Sequence, residues 1–161
     1  MNPLKQFILL FCLLTAVLPA NAQKGLNIET IFHDYGKREG SILIELAGDI
    51  LKGHTRIKRY KSLIINSDSA IVRATVESIQ NDLKDGRILM ESRQNGAIES
   101  GYYCLTKADD SDEYEYILFT NKPEKMTVIY IRGNFAPQRL DDELKKLKNL
   151  FIKVNNKQIK L

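Results

Sequence analysis

The sequence predicts an α+β domain, an antiparallel β-sheet of about six strands with helices packed on one face, in the order α-β-β-α-β-β-β-β-α. Three observations carry that reading. Helical apolar periods near Asn27 and Asp68 alternate with stretches whose apolar residues recur every second position. Four such stretches follow one another from Arg87 to Arg132, separated by turn residues, and a leucine-spaced stripe comes after them. An antiparallel sheet with one helical layer would bury all of these stripes.

The first helix starts at Asn27, a residue type that caps helices through its side-chain oxygen. It places Ile28, Ile31, Phe32 and Tyr35 at i, i+3, i+4 and i+7 before Gly36 stops it. Ser41 to Leu46 alternates Ile42, Ile44 and Leu46 with Leu43 and Glu45, as a half-buried strand does. Ala47 to His54 contains Gly48 and Gly53 and has no clear period, which makes it a connection with room for one helical turn. Thr55 to Ile65 reads as a long strand with Ile57, Leu63 and Ile65 on one face and Tyr60 and Ile64 on the other. Asp68 caps a second helix whose buried stripe is Val72, Val76, Ile79 and Leu83, ended by Gly86.

From Arg87 the period is two: Ile88 and Met90 alternate with Arg87 and Glu91, and Leu89 interrupts the pattern. Asn95-Gly96 signals a two-residue hairpin, because both central positions of a type I′ turn need positive φ, so Ala97 to Thr106 pairs antiparallel with the strand before it. An acidic turn from Asp109 to Glu113 leads to the strand Tyr114 to Thr120, and Asn121-Lys122-Pro123 separates that strand from Met126 to Arg132. Pro137 opens the last helix, and Leu140, Leu144 and Leu147 form its stripe. Early Asp141, Asp142 and Glu143 against late Lys145, Lys146 and Lys148 suit the helix dipole. Phe151 to Val154 reads as a short edge strand.

The chain has 161 residues, of which 43% are hydrophobic and 27% charged, with 9 Gly and 4 Pro. That composition excludes collagen-like, low-complexity and wholly disordered chains. A net charge of +4 is too small to identify a partner. Residues 1–22 read as a cleavable export signal: Lys5 supplies the positive start, Phe7 to Leu18 is an apolar run, and Ala20 and Ala22 fit the small-x-small cleavage rule. The run falls short of the ~20 residues that a membrane-spanning helix needs. Residues 23–161 are then one exported domain of the periplasm or cell envelope, beginning at Gln23, with no transmembrane anchor after processing. Cys12 leaves with the signal. A lipoprotein would acylate it, but Phe11 stands where that signal needs a small residue. Cys104 remains as the mature thiol and is expected to be a buried packing residue.

The signal ending in Ala22-Gln23, the segment LNIETIFHDYGKREG from Leu26 to Gly40, the mid-chain helix and the stretch IYIRGNFAPQRLDDELKKL from Ile129 to Leu147 form a pattern over the whole mature length. In this it resembles small exported bacterial proteins of domain families of unknown function from Gram-negative gut bacteria. The resemblance implies the fold and the exported location, and it supplies no catalytic residue.

Motifs that carry chemistry are sparse. His33 and His54 are the only histidines, with no HExxH or CxxC, so no metal is expected, and His33 falls on the polar side of its helix. The acidic turn lacks the glycine and distal glutamate of a calcium loop. GxSxG, SxxK and the glycine-rich phosphate loops are missing, which disfavours hydrolase elbows and nucleotide enzymes and leaves no cofactor expected. Tyr102, Tyr103, Tyr114, Tyr116 and Tyr130 read as cross-strand packing. One dense basic stretch remains, Arg56, Lys58, Arg59 and Lys61 around Tyr60. Alternation sets Arg59 with Lys61 on one face and Arg56 with Lys58 on the other, so the stretch is either a binding segment or a strand end protected by charge. Export argues against nucleic acid and points to an envelope protein, glycan or anionic surface as partner. The leading expectation is therefore a non-enzymatic exported binding domain. The competing class is a hydrolase or thiol enzyme assembled from sequence-distant residues, such as Cys104 with His33 or His54.

Overall fold

The computed structural model describes residues 25–105 and 111–158, with side chains described through Phe151. The predicted export signal lies outside the described residues, as do Thr106, Asp109 and Asp110. The elements run α1 (Asn27–Tyr35), β1 (Ile42–Ala47), β2 (Ile57–Asn66), α2 (Ser69–Leu83), β3 (Arg87–Gln94), β4 (Ala97–Cys104), β5 (Tyr114–Asn121), β6 (Lys125–Gly133) and α3 (Leu140–Gln158). Short 3-10 turns occupy Gly48–Ile50 and Pro137–Arg139. All strand pairs are antiparallel in one six-stranded sheet of order β1-β2-β6-β5-β4-β3. The α+β class and the element order agree with the sequence reading. Asn95 and Gly96 both have positive φ in the β3–β4 turn, and the Asp68 carboxylate accepts the Ala70 and Ile71 N–H groups at the start of α2.

The helices do not share one face. Ile28, Ile31 and Phe32 of α1 and Ile71 and Ile79 of α2 pack on Leu63, Ile117, Phe119 and Val128, whereas Leu140 and Leu147 of α3 pack on Tyr60, Tyr116, Leu118 and Ile131. The cause is in the three central strands, β2, β6 and β5. They are apolar on both sides, so one helical layer would leave Tyr116 and Ile131 in water, although both are fully buried here. The expected edge strand at Phe151 to Val154 is instead helical, because α3 runs on to Gln158.

Three local expectations change with it. The register of β2 against β6 slips between Ile57 and Arg59, a bulge that turns Ile57 onto the α3 face with Tyr60 rather than onto the Leu63 face. A similar slip in β3 between Ile88 and Met90 accounts for Leu89 breaking the alternation. The fully buried line of α2 is Ile71, Thr75, Ile79 and Asp82, rotated from the predicted stripe, with Val72, Val76 and Leu83 packed beside it. That rotation aims Asp82 at α1. Its Oδ1 accepts the Asn27 backbone N–H (2.6 Å) and side-chain amide (2.8 Å), and its Oδ2 accepts the Ile28 N–H (2.8 Å). Asn27 is thus the first helical residue, and the cap comes from another helix.

Candidate functional site

The connection from β1 to β2 encloses a cleft of about 640 Å³ with the start of β2 and Asn134. Gly48 (φ 60°) and Gly53 (φ 80°) take left-handed conformations that side chains resist, and they let the connection fold back. Between them Leu51 is 0% exposed and anchors the loop in the α3-side core. Its carbonyl accepts the His54 and Thr55 N–H groups, both at 3.2 Å. Arg56 is fixed through its backbone: its N–H donates to Glu143 Oε2 (2.7 Å), and its carbonyl accepts the Asn134 N–H (3.3 Å). Glu143, 0% exposed, also accepts Lys146 Nζ at 2.7 Å, so the first turns of α3 are tied to the floor of the cleft. Burial would push the Glu143 carboxyl up, but the Arg56 N–H and the Lys146 ammonium outweigh it and hold it below the usual carboxylate range.

The four basic residues singled out in the sequence part company around the bulge. Arg56 and Lys58 line the cleft together with Lys52 and Asp49. Lys58 Nζ donates to Glu113 Oε1 (2.5 Å), whose other oxygen accepts Arg132 Nε, and the Lys58 contact leads the two cations in holding the Glu113 carboxyl low. Arg59 and Lys61 lie elsewhere, beneath α1. Lys61, 8% exposed, donates to Glu29 Oε2 (2.6 Å), stands 3.4 Å from Glu45 Oε1, and lies 5.7 Å from the Phe32 ring centroid. Arg59 reaches Glu29 at 3.9 Å. Among the described residues neither Lys52 nor Arg56 takes part in an ion pair. The cleft therefore offers two exposed cations on a rigid backbone, an arrangement that suits an anionic group.

Lys52 and Asn134 escaped the sequence reading because folding, not spacing, brings them to Arg56. The two glycines around Lys52 were the available signal. Of the residues weighed for catalysis, Cys104 is 4% exposed, with Sγ 3.7 Å from the Leu105 carbonyl in the α3-side core. His33 lies on α1, across the sheet, paired with Asp34. His54 lines a separate cavity of about 170 Å³ with Lys146, Asn149 and Leu150. Among the described residues no three His, Cys, Asp or Glu side chains gather as a metal site would require, and no helix is long and apolar enough to cross a membrane.

Residues 15–147 match DUF6108, a family of unknown function, and the chain belongs to that family. Comparison with curated proteins finds no match.

Proposed function

We propose that this DUF6108 protein is exported to the envelope of a Gram-negative cell and acts there as a non-enzymatic binding domain, taking an anionic group of an envelope component into the β1–β2 cleft. The observation that carries the proposal is the pair Lys52 and Arg56, two exposed cations that line the cleft and make no direct ion pair among the described residues, although Asp49 also lines it and Glu143 feels the Arg56 charge. Lys58 contributes less, since Glu113 already neutralises it. The shared chemistry is a phosphate or carboxylate, from either a glycan or a lipid headgroup.

Titration with a phosphorylated envelope glycan and, separately, with phosphatidylglycerol vesicles tests this and separates the two sources. Lys52→Gln with Arg56→Gln is expected to weaken the better of the two at least about tenfold, because each lost charge contact to an anion is worth roughly 1 kcal/mol or more. Raising salt should weaken wild-type binding too, since exposed charges are screened beyond about 8 Å at physiological ionic strength. Equal, salt-insensitive binding by wild type and the double variant would remove the cleft from the proposal.

Export rests on Lys5, the apolar run Phe7 to Leu18 and the Ala20/Ala22 pair. Mass spectrometry of the protein from its native host should find Gln23, or pyroglutamate formed from it, as the first residue. A chain retaining Met1, or one starting at acylated Cys12, would contradict it.

A further inference from the structure

The two edges of the sheet are built differently. The β3 edge carries register slips after Ile88 and after Ser92 and is flanked by Arg87 and Arg93, features that discourage another strand from pairing. The β1 edge has none of them. Its register against β2 is unbroken from Ile42 to Ala47, it contains no Lys, Arg or Pro, and its single charge, Glu45, is turned to Lys61. Ile42 at this edge is 55% exposed.

The segment Gly40 to Gly48 reads Gly-Ser-Ile-Leu-Ile-Glu-Leu-Ala-Gly, nearly symmetric in residue class about Ile44. Both terminal glycines have positive φ (77° at Gly40, 60° at Gly48), so the chain turns away from the strand line symmetrically at each end. Only Leu43 and Glu45 break the symmetry. An antiparallel copy centred on Ile44 would set Ile44 opposite itself, Ile42 opposite Leu46 and Ser41 opposite Ala47, with the glycines at the borders. Ile42, Ile44 and Leu46 share the α3 face, where Ile44 and Leu46 already pack against the core, so the pairing would extend that apolar row across the axis.

We infer that the partner of the β1 edge is a second copy of this chain, paired antiparallel through β1 about a two-fold axis at Ile44, so that two six-stranded sheets become one continuous sheet. The two-fold uses up both β1 edges, which closes the assembly at the dimer.

Sedimentation of the full chain at micromolar concentration should show a dimer. Ile42→Lys adds a charge at an exposed position of the ladder, twice by symmetry. It is expected to weaken self-association more than about tenfold while leaving the circular dichroism spectrum and thermal midpoint of the monomer fold unchanged. Ile44→Cys should cross-link on mild oxidation, since directly opposed antiparallel residues hold their Cβ atoms about 4.5–5.5 Å apart, close to disulfide range. Ile42→Cys alone, facing Leu46, should not, and the wild-type chain with Cys12 and Cys104 gives the baseline. A monomeric wild type, assembly beyond the dimer, or cross-linking by Ile42→Cys in place of Ile44→Cys overturns the proposal. Should Ile42→Lys lose its fold, the two cysteine variants decide.

Discussion

Glu143→Ala is expected to cost about 3 kcal/mol of folding free energy, the low end for removing one partner of a buried ionic contact, because Lys146 can return to water. The Arg56 N–H loses its acceptor, and the α3 anchor at the start of β2 goes with it. Glu143→Gln keeps an oxygen for that N–H and should cost less. Urea unfolding of the three proteins gives the order. The acid limb adds a signed test. The folded carboxyl is held below its ordinary value of 4.5, so its stabilising contribution is complete above that pH and is lost as pH falls through the lower, folded value. The Gln variant lacks this contribution, so the gap between it and wild type should narrow as pH falls from 4.5 through the lower, folded value. A constant difference between the two across that range would show that charge plays no part at this position.

Asp82→Ala is expected to cost about 2 kcal/mol, since it strips the donors at the start of α1 of their acceptor, and one of them, the Ile28 N–H, is buried. Asp82→Asn preserves an acceptor but loses the charge that favours a helix N-terminus, which is worth roughly 0.3–1 kcal/mol. The loss should be local first. Hydrogen exchange in α1 should accelerate in Asp82→Ala more than exchange in β5, because α1 is held to the rest of the fold by this cap and by Ile28, Ile31 and Phe32. Uniform acceleration throughout the sheet would mean that α1 and the sheet open together.

The elements were legible where short-range chemistry decides them. Asn95-Gly96 needs no tertiary context to turn, and Asp68 caps its own helix. What escaped depends on partners far along the chain. The Asp82 cap spans 55 positions to Asn27, and no local signal announces it. The helical face was misjudged because the apolar residues of β2, β5 and β6 satisfy either a one-sided or a two-sided sheet; the strength of the opposite face, Tyr60, Tyr116 and Ile131, becomes evident only when the strands lie side by side. In the candidate site the charges of Arg56, Lys58, Arg59 and Lys61 and their division into two pairs were visible, but the partners that neutralise some of them were not. Alternation places Arg56 with Lys58 correctly at the cleft, while the partners that neutralise Lys58 and Lys61 come from Glu113, Glu29 and Glu45 on other elements.

The strand order also governs when the molecule can become itself. Strands β3 to β6 form by successive nearest-neighbour hairpins, each closing a short loop. The central β2–β6 pairing instead joins segments separated by as many as 59 positions even at its nearer end, where Lys125 meets Asn66. A chain emerging from its N-terminus therefore holds the β1–β2 hairpin with the second partner of β2 still unmade, and the last strand synthesised is the one that flanks that hairpin. Such non-local closure slows folding and lengthens the interval in which the β1–β2 hairpin is exposed. The seam that joins the two halves of the chain thus lies in the middle of the sheet, between β2 and β6, and is the strand pairing with the greatest separation in sequence.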